Sequence, residues 1–559
     1  MFLLVRTEGP QQCAGHELLA VLGVEEVFLV WIRQESQLHQ HGGHVGETDH
    51  VITRLLHPAV LAPDAVAVSK FSEYQAKLRA AFVIIDREER KRIIMEVAAA
   101  LARAEGLMVK PGQGLLEEVC GLVEWPVPLL GRIDDAFMDV PDEVLTSVMR
   151  THQKYFALKN SKTNKLAPYF ITIANIETAD QGAAIIAGNE RVLRARLSDG
   201  RFFWDQDRKT SLEARLPALE KIVFHARLGT VAEKTARLEK LAAELSGLLG
   251  ADAASAGMAA RLCKADLVSG IVYEFPELQG IMGGYYADND GLDVSVGAAI
   301  RAHYAPLGPS DDIPPTPEAC VVALADKIDT LAGFWMIDEK PTGSKDPYAL
   351  RRAALGVIRI VLEREAHVPL LPVFEKALAL HGQAEGDRRP CAQALLDFLV
   401  ERLRVYLRER NVRHDVVSAV FARGSDDIVD IVGKAKYLAD FLQTPDGSNL
   451  LVAYRRADGI LKQQKMAANA VSADLFEQDA EGALFAALSD LPDTLDASLQ
   501  AYGQYLDELA ALRISVDGFF DAVLVNAEDD RLKANRLAIL AGLVASMDLV
   551  GDLAVIEKG

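Results

Sequence analysis

A chain of 559 residues is long enough for three or four domains. With half its residues hydrophobic and a quarter charged, it has the composition of a globular protein with large cores. A net charge of −20 and a pI near 5.1 argue against non-specific nucleic-acid binding by the chain as a whole, since its overall field repels a polyanion. One local island runs the other way: Arg191–Lys240 holds 12 Lys/Arg against 7 Asp/Glu. On pattern alone such an island reads as a solvated helix face.

The five cysteines (13, 120, 263, 320, 391) are widely spaced and form no CxxC pair, a usage that fits buried thiols in a reducing cytoplasm. The apolar stretch Leu18–Ile32 is split by Glu25 and Glu26, too short and too charged for a membrane span. No signal-peptide pattern is read, so a cytoplasmic protein is expected.

Residues 1–65 carry His16, His39, His41, His44, His50 and His57. The His39–His44 run has tolerable metal-ligand spacing but no regular element to fix it and no cysteine companion, so a polar loop is favoured. Glu88–Ala104 predicts an amphipathic helix with Ile93, Ile94, Val97, Ala98 and Leu101 on one face. Gly112–Val123 predicts a second helix, and Trp125–Gly131 a strand or edge segment, because its prolines block central pairing. Pro141–Arg150 reads as a short helix. Tyr155–Leu158 and Tyr169–Ile176, separated by the turn-forming Asn160–Asn164, read as paired strands. Together these make an α/β or α+β domain over about 65–178.

Beyond Asn175 the spacing turns helical, starting with Ile185, Ile186, Leu193 and Leu197. Arg194, Arg201, Arg208 and Arg215 recur every seven residues, which predicts four guanidiniums along one side of a helix, drifting about 20° per step. Lys221–Leu249 reads as a helix pair or one long bent helix, and Gly250–Gly257 as a small-residue turn. Helices at Ala259–Val272 and Val294–His303 bracket a loop rich in glycine (Gly280, Gly283, Gly284). Pro306–Pro317 reads as a rigid linker. Helices at Glu318–Trp335 and Tyr348–Glu365 flank the loop Pro341–Pro347. A last helical block opens with Ala392–Asn411 and runs through 430–443, 447–465, 473–490, 494–513 and 519–547. No repeat of 20–50 residues stands out.

No P-loop, dinucleotide fingerprint, nucleophile elbow or H-E-x-x-H motif is found. Gly343-Ser344-Lys345 lacks the strand and first glycine of a P-loop and reads as a loop capping the next helix. Asp266, His303 and Asp326 follow the order of HD-type metal phosphohydrolases, whose metal is held by a His, a His-Asp pair and a distant Asp. Here Ala265 stands where the paired histidine belongs, and carboxylates alone are poor substitutes for nitrogen ligands. A scaffold that keeps the shape without the metal is therefore favoured. Near the end, Phe519, Val523, Leu524, Leu537, Ile539 and Leu540 read as core. Asn526, Arg531, Lys533, Asn535 and Arg536 between them offer a polar edge of the kind that reads unstacked bases. Tyr454-Arg455-Arg456 and the Tyr406–Arg410 segment interleave aromatics with arginine.

The segments GLVEWPVPLLG, THQKYFAL, GNERVLRARLSDGRFFWDQD, ADKIDTLAGFW, PTGSKDPYALRRAALGVIRI, YRRADGILK and FFDAVLVNAEDDRLKANRLAIL resemble the β subunit of bacterial heterotetrameric glycyl-tRNA synthetase, in that family's order and over about residues 66–559. The resemblance implies a multidomain, mainly α protein. A divergent or truncated segment (1–65) precedes an α+β domain (66–178) and a helical connector with the basic stripe (179–255). A degenerate HD-type helical domain (256–389), marked by Asp266, His303 and Asp326, and a DALR-type anticodon-binding helical bundle (390–559) follow. The family's acidic opening is not recognisable in residues 1–45, and ITRLLHPAVLAP matches its next stretch only loosely, so a truncated or diverged N-terminus is expected.

The same resemblance implies a subunit of glycine–tRNA ligase. ATP and glycine are substrates of the holoenzyme, with Mg and the class II adenylation site on an α partner, in a complex of two α and two β chains. This chain alone would hold no catalytic residue, metal or cofactor. It would bind tRNA(Gly), with no role for membrane or DNA. Tyr454, Arg455, Arg456, Asn526, Asn535 and Arg536 would contact the anticodon end. His152, Gln153, Lys154, Arg191, Arg194 and Arg201 would lie nearer the acceptor side or the α interface. Competing readings are an HD-type metal-dependent phosphohydrolase with a helical binding module, and a purely structural helical scaffold.

Overall fold

The computed structural model describes residues 71–557, apart from 411, 465–469 and 497. The His39–His44 run, Cys13, Leu18–Ile32 and ITRLLHPAVLAP lie outside the described residues. The chain forms two compact units, the first ending at Asp207 and the second starting at Arg208.

In the first unit the order is α1 (Phe71–Ala80), α2 (Arg87–Ala104), β1 (Leu107–Val109), α3 (Gln113–Leu122), β2 (Val127–Arg132), α4 (Asp142–Gln153), β3 (Phe156–Asn160), β4 (Leu166–Ala174) and α5 (Ala183–Asp207). Asp86 starts α2 by accepting the N–H groups of Glu88 and Glu89. The β3–β4 hairpin is closed by Asn160, whose side chain accepts from the N–H groups of Lys162 and Thr163. The sheet is antiparallel, in the order β1-β3-β4-β2. The proline-bearing segment thus is an edge strand, as its composition required. Ile94, Ala98 and Val119 of α2 and α3 pack with Phe156, Leu158 and Ile171 on one face. Strand alternation turns Phe170 to the other, opposite Gly131, where a Cβ would fall 2.4 Å from its ring. α4 lies against β3 and α5 against β2.

The second unit opens with the four-residue α6 (Leu212–Arg215) and a hairpin of β5 (Val223–His225) and β6 (Gly229–Thr230). Next come α7 (Val231–Leu249), α8 (Ala253–Leu262), α9 (Gly270–Glu274), α10 (Ile281–Asn289) and α11 (Val294–Ala302). They are followed by α12 (Pro317–Met336), α13 (Leu350–Glu363), α14 (Leu370–Leu380) and α15 (Glu385–Arg408). The last stretch holds α16 (His414–Phe421), α17 (Ile428–Gln443), α18 (Pro445–Gln464), α19 (Asp479–Ser489), α20 (Leu499–Ala511), α21 (Arg513–Ala522) and α22 (Asp530–Asp548). α12 is the axis of the first half. It is buried from Ala319 to Trp335 except at Thr330, with α7, α8, α11, α13, α14 and α15 packed around it.

Several expectations give way here. α5 stops at Asp207, and Ser211 starts a new helix by accepting the Ala214 N–H, so the four arginines do not share one helix: Arg194 and Arg201 are on α5, and Arg208 and Arg215 are not. Arg215 is buried beneath the Tyr286 ring, its Cζ 5.2 Å from the centroid. The start of Lys221–Leu249 is a hairpin, ended by the Thr230–Glu233 capping box of α7. Gly250 closes α7 at φ 65° and Asp252 caps α8, so the small-residue turn spans only 250–252. Gly283 and Gly284 lie inside α10, not in a loop. A Cβ at Gly283 would come 2.7 Å from Ile300 Cγ2, so the glycine lets α10 and α11 touch. The Pro306–Pro317 segment, expected as a rigid linker, is fastened to α13 through Arg359 to the Gly308 carbonyl (3.0 Å). Finally, the 519–547 helix is broken between α21 and α22, leaving Leu524 73% exposed where a core position was expected.

Candidate nucleic-acid interface and the buried charged centre

Asp326 and Asp329 stand one turn apart on α12, facing Lys234 and Arg237 at the same spacing on α7. Lys234 Nζ lies 2.9 Å from Asp326 and 3.0 Å from Asp329, and Arg237 Nε donates to Asp329 at 2.6 Å. His381, just past α14, reaches Asp329 at 3.0 Å. On the far side of Asp326, Lys264 Nζ is 3.1 Å from Oδ2 and 2.9 Å from His303 Nε2. His303 Nδ1 is 2.6 Å from the Ile300 carbonyl. A carbonyl only accepts, so the ring proton sits on Nδ1 and the Nε2 lone pair accepts from the lysine. Burial alone would raise the Asp326 carboxyl, but the ammoniums of Lys234 and Lys264 outweigh it and hold it far below the usual carboxylate range. Burial, reinforced by Lys264, keeps His303 neutral.

Asp266 takes a separate course. Its Oδ2 accepts the N–H groups of Gly280 (2.5 Å) and Gly283 (2.9 Å) at the start of α10, and its Oδ1 is buried without a hydrogen-bond partner. Burial pushes this carboxyl up to about 6 against the pull of the two amides. The three HD positions therefore do not form a ligand set. Asp266 faces backbone amides, while His303 and Asp326 converge on an ammonium, and a divalent ion there would meet a full positive charge at contact distance. The metal that the HD-type resemblance implies does not fit these residues, and the phosphohydrolase reading loses its chemistry.

In the C-terminal bundle, half of the expected contact residues turn inward. Tyr454 is buried and donates to Asp548 at 2.8 Å; burial and that carboxylate push its hydroxyl upward. Arg455 donates to the Ile556 carbonyl at 2.8 Å. Asn535 pairs with the backbone of Ser472, accepting its N–H at 2.7 Å and donating to its carbonyl at 3.1 Å. Arg536 is buried and binds Glu481 (2.8 Å), Glu477 (3.0 Å) and the Leu524 carbonyl (3.0 Å). It thereby ties α19 and the α21–α22 turn to α22. Arg456 stays exposed, its Cζ 4.3 Å from the Phe520 ring centroid. Asn526 and Arg531 are also exposed.

In the first unit, His152, Gln153 and Lys154 form the end of α4. Lys154 is the left-handed C-cap at φ 58° and pairs with Glu118 at 2.7 Å. On α5, buried Leu193 and Leu197 leave the arginines outward. Arg194 lies 3.5 Å from Asp134. Arg201 lies 3.4 Å from Asp139 and 3.6 Å from Asp205, and also donates to the Ala136 carbonyl. Arg191 and Arg196 are exposed and make no ion pair among the described residues.

Residues 48–422 match the family model described as glycyl-tRNA synthetase beta subunit. The chain belongs to this family. Residues 450–553 match the DALR anticodon binding domain, which covers α18 to α22. Similar relatives include the glycine–tRNA ligase beta subunit of Rhodospirillum centenum, 52% identical over 509 residues (89% of this chain, 71% of the relative). Those of a Ruegeria species and Cereibacter sphaeroides are each 48% identical over 89% of this chain and 73% of theirs. The chain is thus a subunit of an aminoacyl-tRNA synthetase with a DALR anticodon-binding domain. No helix among the described residues is long and apolar enough to cross a membrane.

Placed in that family, Tyr454, Asn535 and Arg536 are the internal fastenings of the anticodon-binding domain. Sequence reasoning passed over two things. Arg196, next to the periodic arginines but out of their register, is exposed and has no ion pair among the described residues. The cations of α7 and Lys264, just past α8, were not linked to Asp326 and Asp329, because the partners lie 62 to 95 residues apart. The acid pair at i, i+3 in the middle of a mostly apolar helix was the available signal.

Proposed function

We propose that this chain is the tRNA-binding half of a glycine–tRNA ligase. It presents tRNA(Gly), through the DALR-type bundle and the α5 surface, to an α subunit. That subunit holds glycine, ATP and Mg, forms glycyl-adenylate and transfers glycine, in a cytoplasmic complex of two α and two β chains. The reading is carried by the match of residues 450–553 to the DALR anticodon-binding domain, on a bundle whose exposed edge carries Arg456, Asn526 and Arg531. These three contact the anticodon arm; Tyr454, Arg455, Asn535 and Arg536 act by holding the bundle in shape. Arg191, Arg194, Arg196, Arg201 and the His152–Lys154 helix end lie towards the acceptor side or the α subunit. The block around α12 is a degenerate HD-type domain with a scaffolding role.

The test is tRNA(Gly) affinity of the α–β complex carrying Arg456→Ala, Asn526→Ala and Arg531→Ala together. Affinity should fall roughly tenfold and its salt dependence should flatten, with an unchanged melting temperature. Unaltered affinity at two salt concentrations would remove the anticodon assignment.

A further inference from the structure

His303 is set up as a metal-binding imidazole is. Its Nδ1–H is tied to the Ile300 carbonyl at 2.6 Å, fixing the ring and directing the Nε2 lone pair at a cation. Asp326 supplies a carboxylate on the other side of that position. What stands between them is the ammonium of Lys264, 2.9 Å from Nε2 and 3.1 Å from Oδ2, with the Tyr304 ring centroid at 3.7 Å. An ammonium has three protons, and here it meets three acceptors: a ring nitrogen, a carboxylate oxygen and an aromatic face. Lys264 is 4% exposed, so water does not compete for those protons. A divalent ion takes four or more ligands at shorter range, so beside the ammonium the two side chains here cannot hold one; truncating Lys264 would free the position for an ion whose remaining ligands are water.

We infer that Lys264 is a built-in cation that fills the centre of this helical block, doing the cross-linking that a bound metal would otherwise do. It comes from the residue preceding Ala265, so the missing histidine and the incoming ammonium belong to the same turn. Lys264 joins the turn after α8 to the end of α11 and to α12, and Lys234 continues the network to Asp329, Arg237 and His381. The comparison with a metal centre rests on the HD-type reading proposed above; the contacts of Lys264 do not.

Full-length chain incubated with Zn2+ or Mn2+ and then desalted should retain no metal that His303→Ala removes. One equivalent retained by the wild type and lost in His303→Ala overturns the inference. Lys264→Met keeps the length and drops the charge, and should lower the melting temperature by roughly 5–10 °C; an unchanged melting temperature also overturns it. Lys264→Ala should gain a Zn2+-dependent rise in melting temperature that the wild type and Lys264→Ala/His303→Ala lack. If Lys264→Ala does not fold, the wild-type metal content and Lys264→Met still decide. Adding Ala265→His to Lys264→Ala should tighten Zn2+ binding on the order of tenfold. No tightening would overturn the HD-type reading while leaving the place of Lys264 intact.

Discussion

The basic island at Arg191–Lys240 divides into two halves that composition cannot tell apart. On α5, Arg194 and Arg201 reach surface carboxylates at 3.4–3.6 Å, and Arg191 and Arg196 are exposed with no ion pair among the described residues. On α7, Lys234 and Arg237 are buried and bound at 2.6–3.0 Å to two aspartates of α12. The same residue types stay at the surface in one half and bind the interior together in the other. The carboxylates of the facing helix decide which, because an exposed cation stays hydrated while a buried one must be paired.

The widest separation between the halves should come from Asp329→Asn, which takes the carboxylate from buried Arg237 and one of its two carboxylates from Lys234. Urea unfolding should show a loss of about 3–5 kcal/mol; a loss no larger than that of a surface variant would erase the distinction. Next is Arg536→Met, expected to cost about 2–3 kcal/mol because Glu481 is left buried with two backbone amides but no counter-charge. If tRNA affinity fell with stability intact, Arg536 would be a contact and not a fastening.

A third effect depends on pH. The folded-state pKa of Asp266, about 6, lies above its ordinary unfolded value of about 3.9, so the folded state holds that proton more tightly. Its contribution to stability therefore falls as pH rises from about 4 to about 6 and stays reduced above. Asp266→Asn should keep both amide bonds, lose that slope, and exceed the wild type by about 2 kcal/mol at pH 7. Parallel melting curves from pH 4 to 7 would contradict it. The smallest stability changes belong to α5: Arg191→Ala and Arg196→Ala should stay within about 0.5 kcal/mol. Each should nonetheless lower the salt slope of tRNA binding by about 0.9; full affinity and slope would return α5 to an inert solvated face.

What the sequence disclosed and what it concealed divides along similar lines. The β3–β4 hairpin was legible because Asn160 closes it locally, and β2 was legible as an edge because its prolines cannot donate. The β5–β6 hairpin was not, since strands of three and two residues carry no period. Gly283 and Gly284 looked like a loop because their cause, the approach of Ile300 and Arg301, is tertiary. Asn535 and Arg536 looked like a polar edge for the same reason: Ser472 and Glu481 lie 63 and 55 residues away. The anticodon-binding domain was thus legible as a region, while Tyr454, Asn535 and Arg536 looked like surface residues, because burial of a polar side chain depends on a partner that periodicity does not reveal.

Charging of tRNA(Gly) by a glycyl-tRNA synthetase α subunit, measured with and without this chain, tests the tRNA-binding assignment most directly. Glycine- and ATP-dependent charging should require both chains and should slow when the anticodon is replaced. Full-rate charging by the α subunit alone, or indifference of the reconstituted complex to the anticodon, would contradict it.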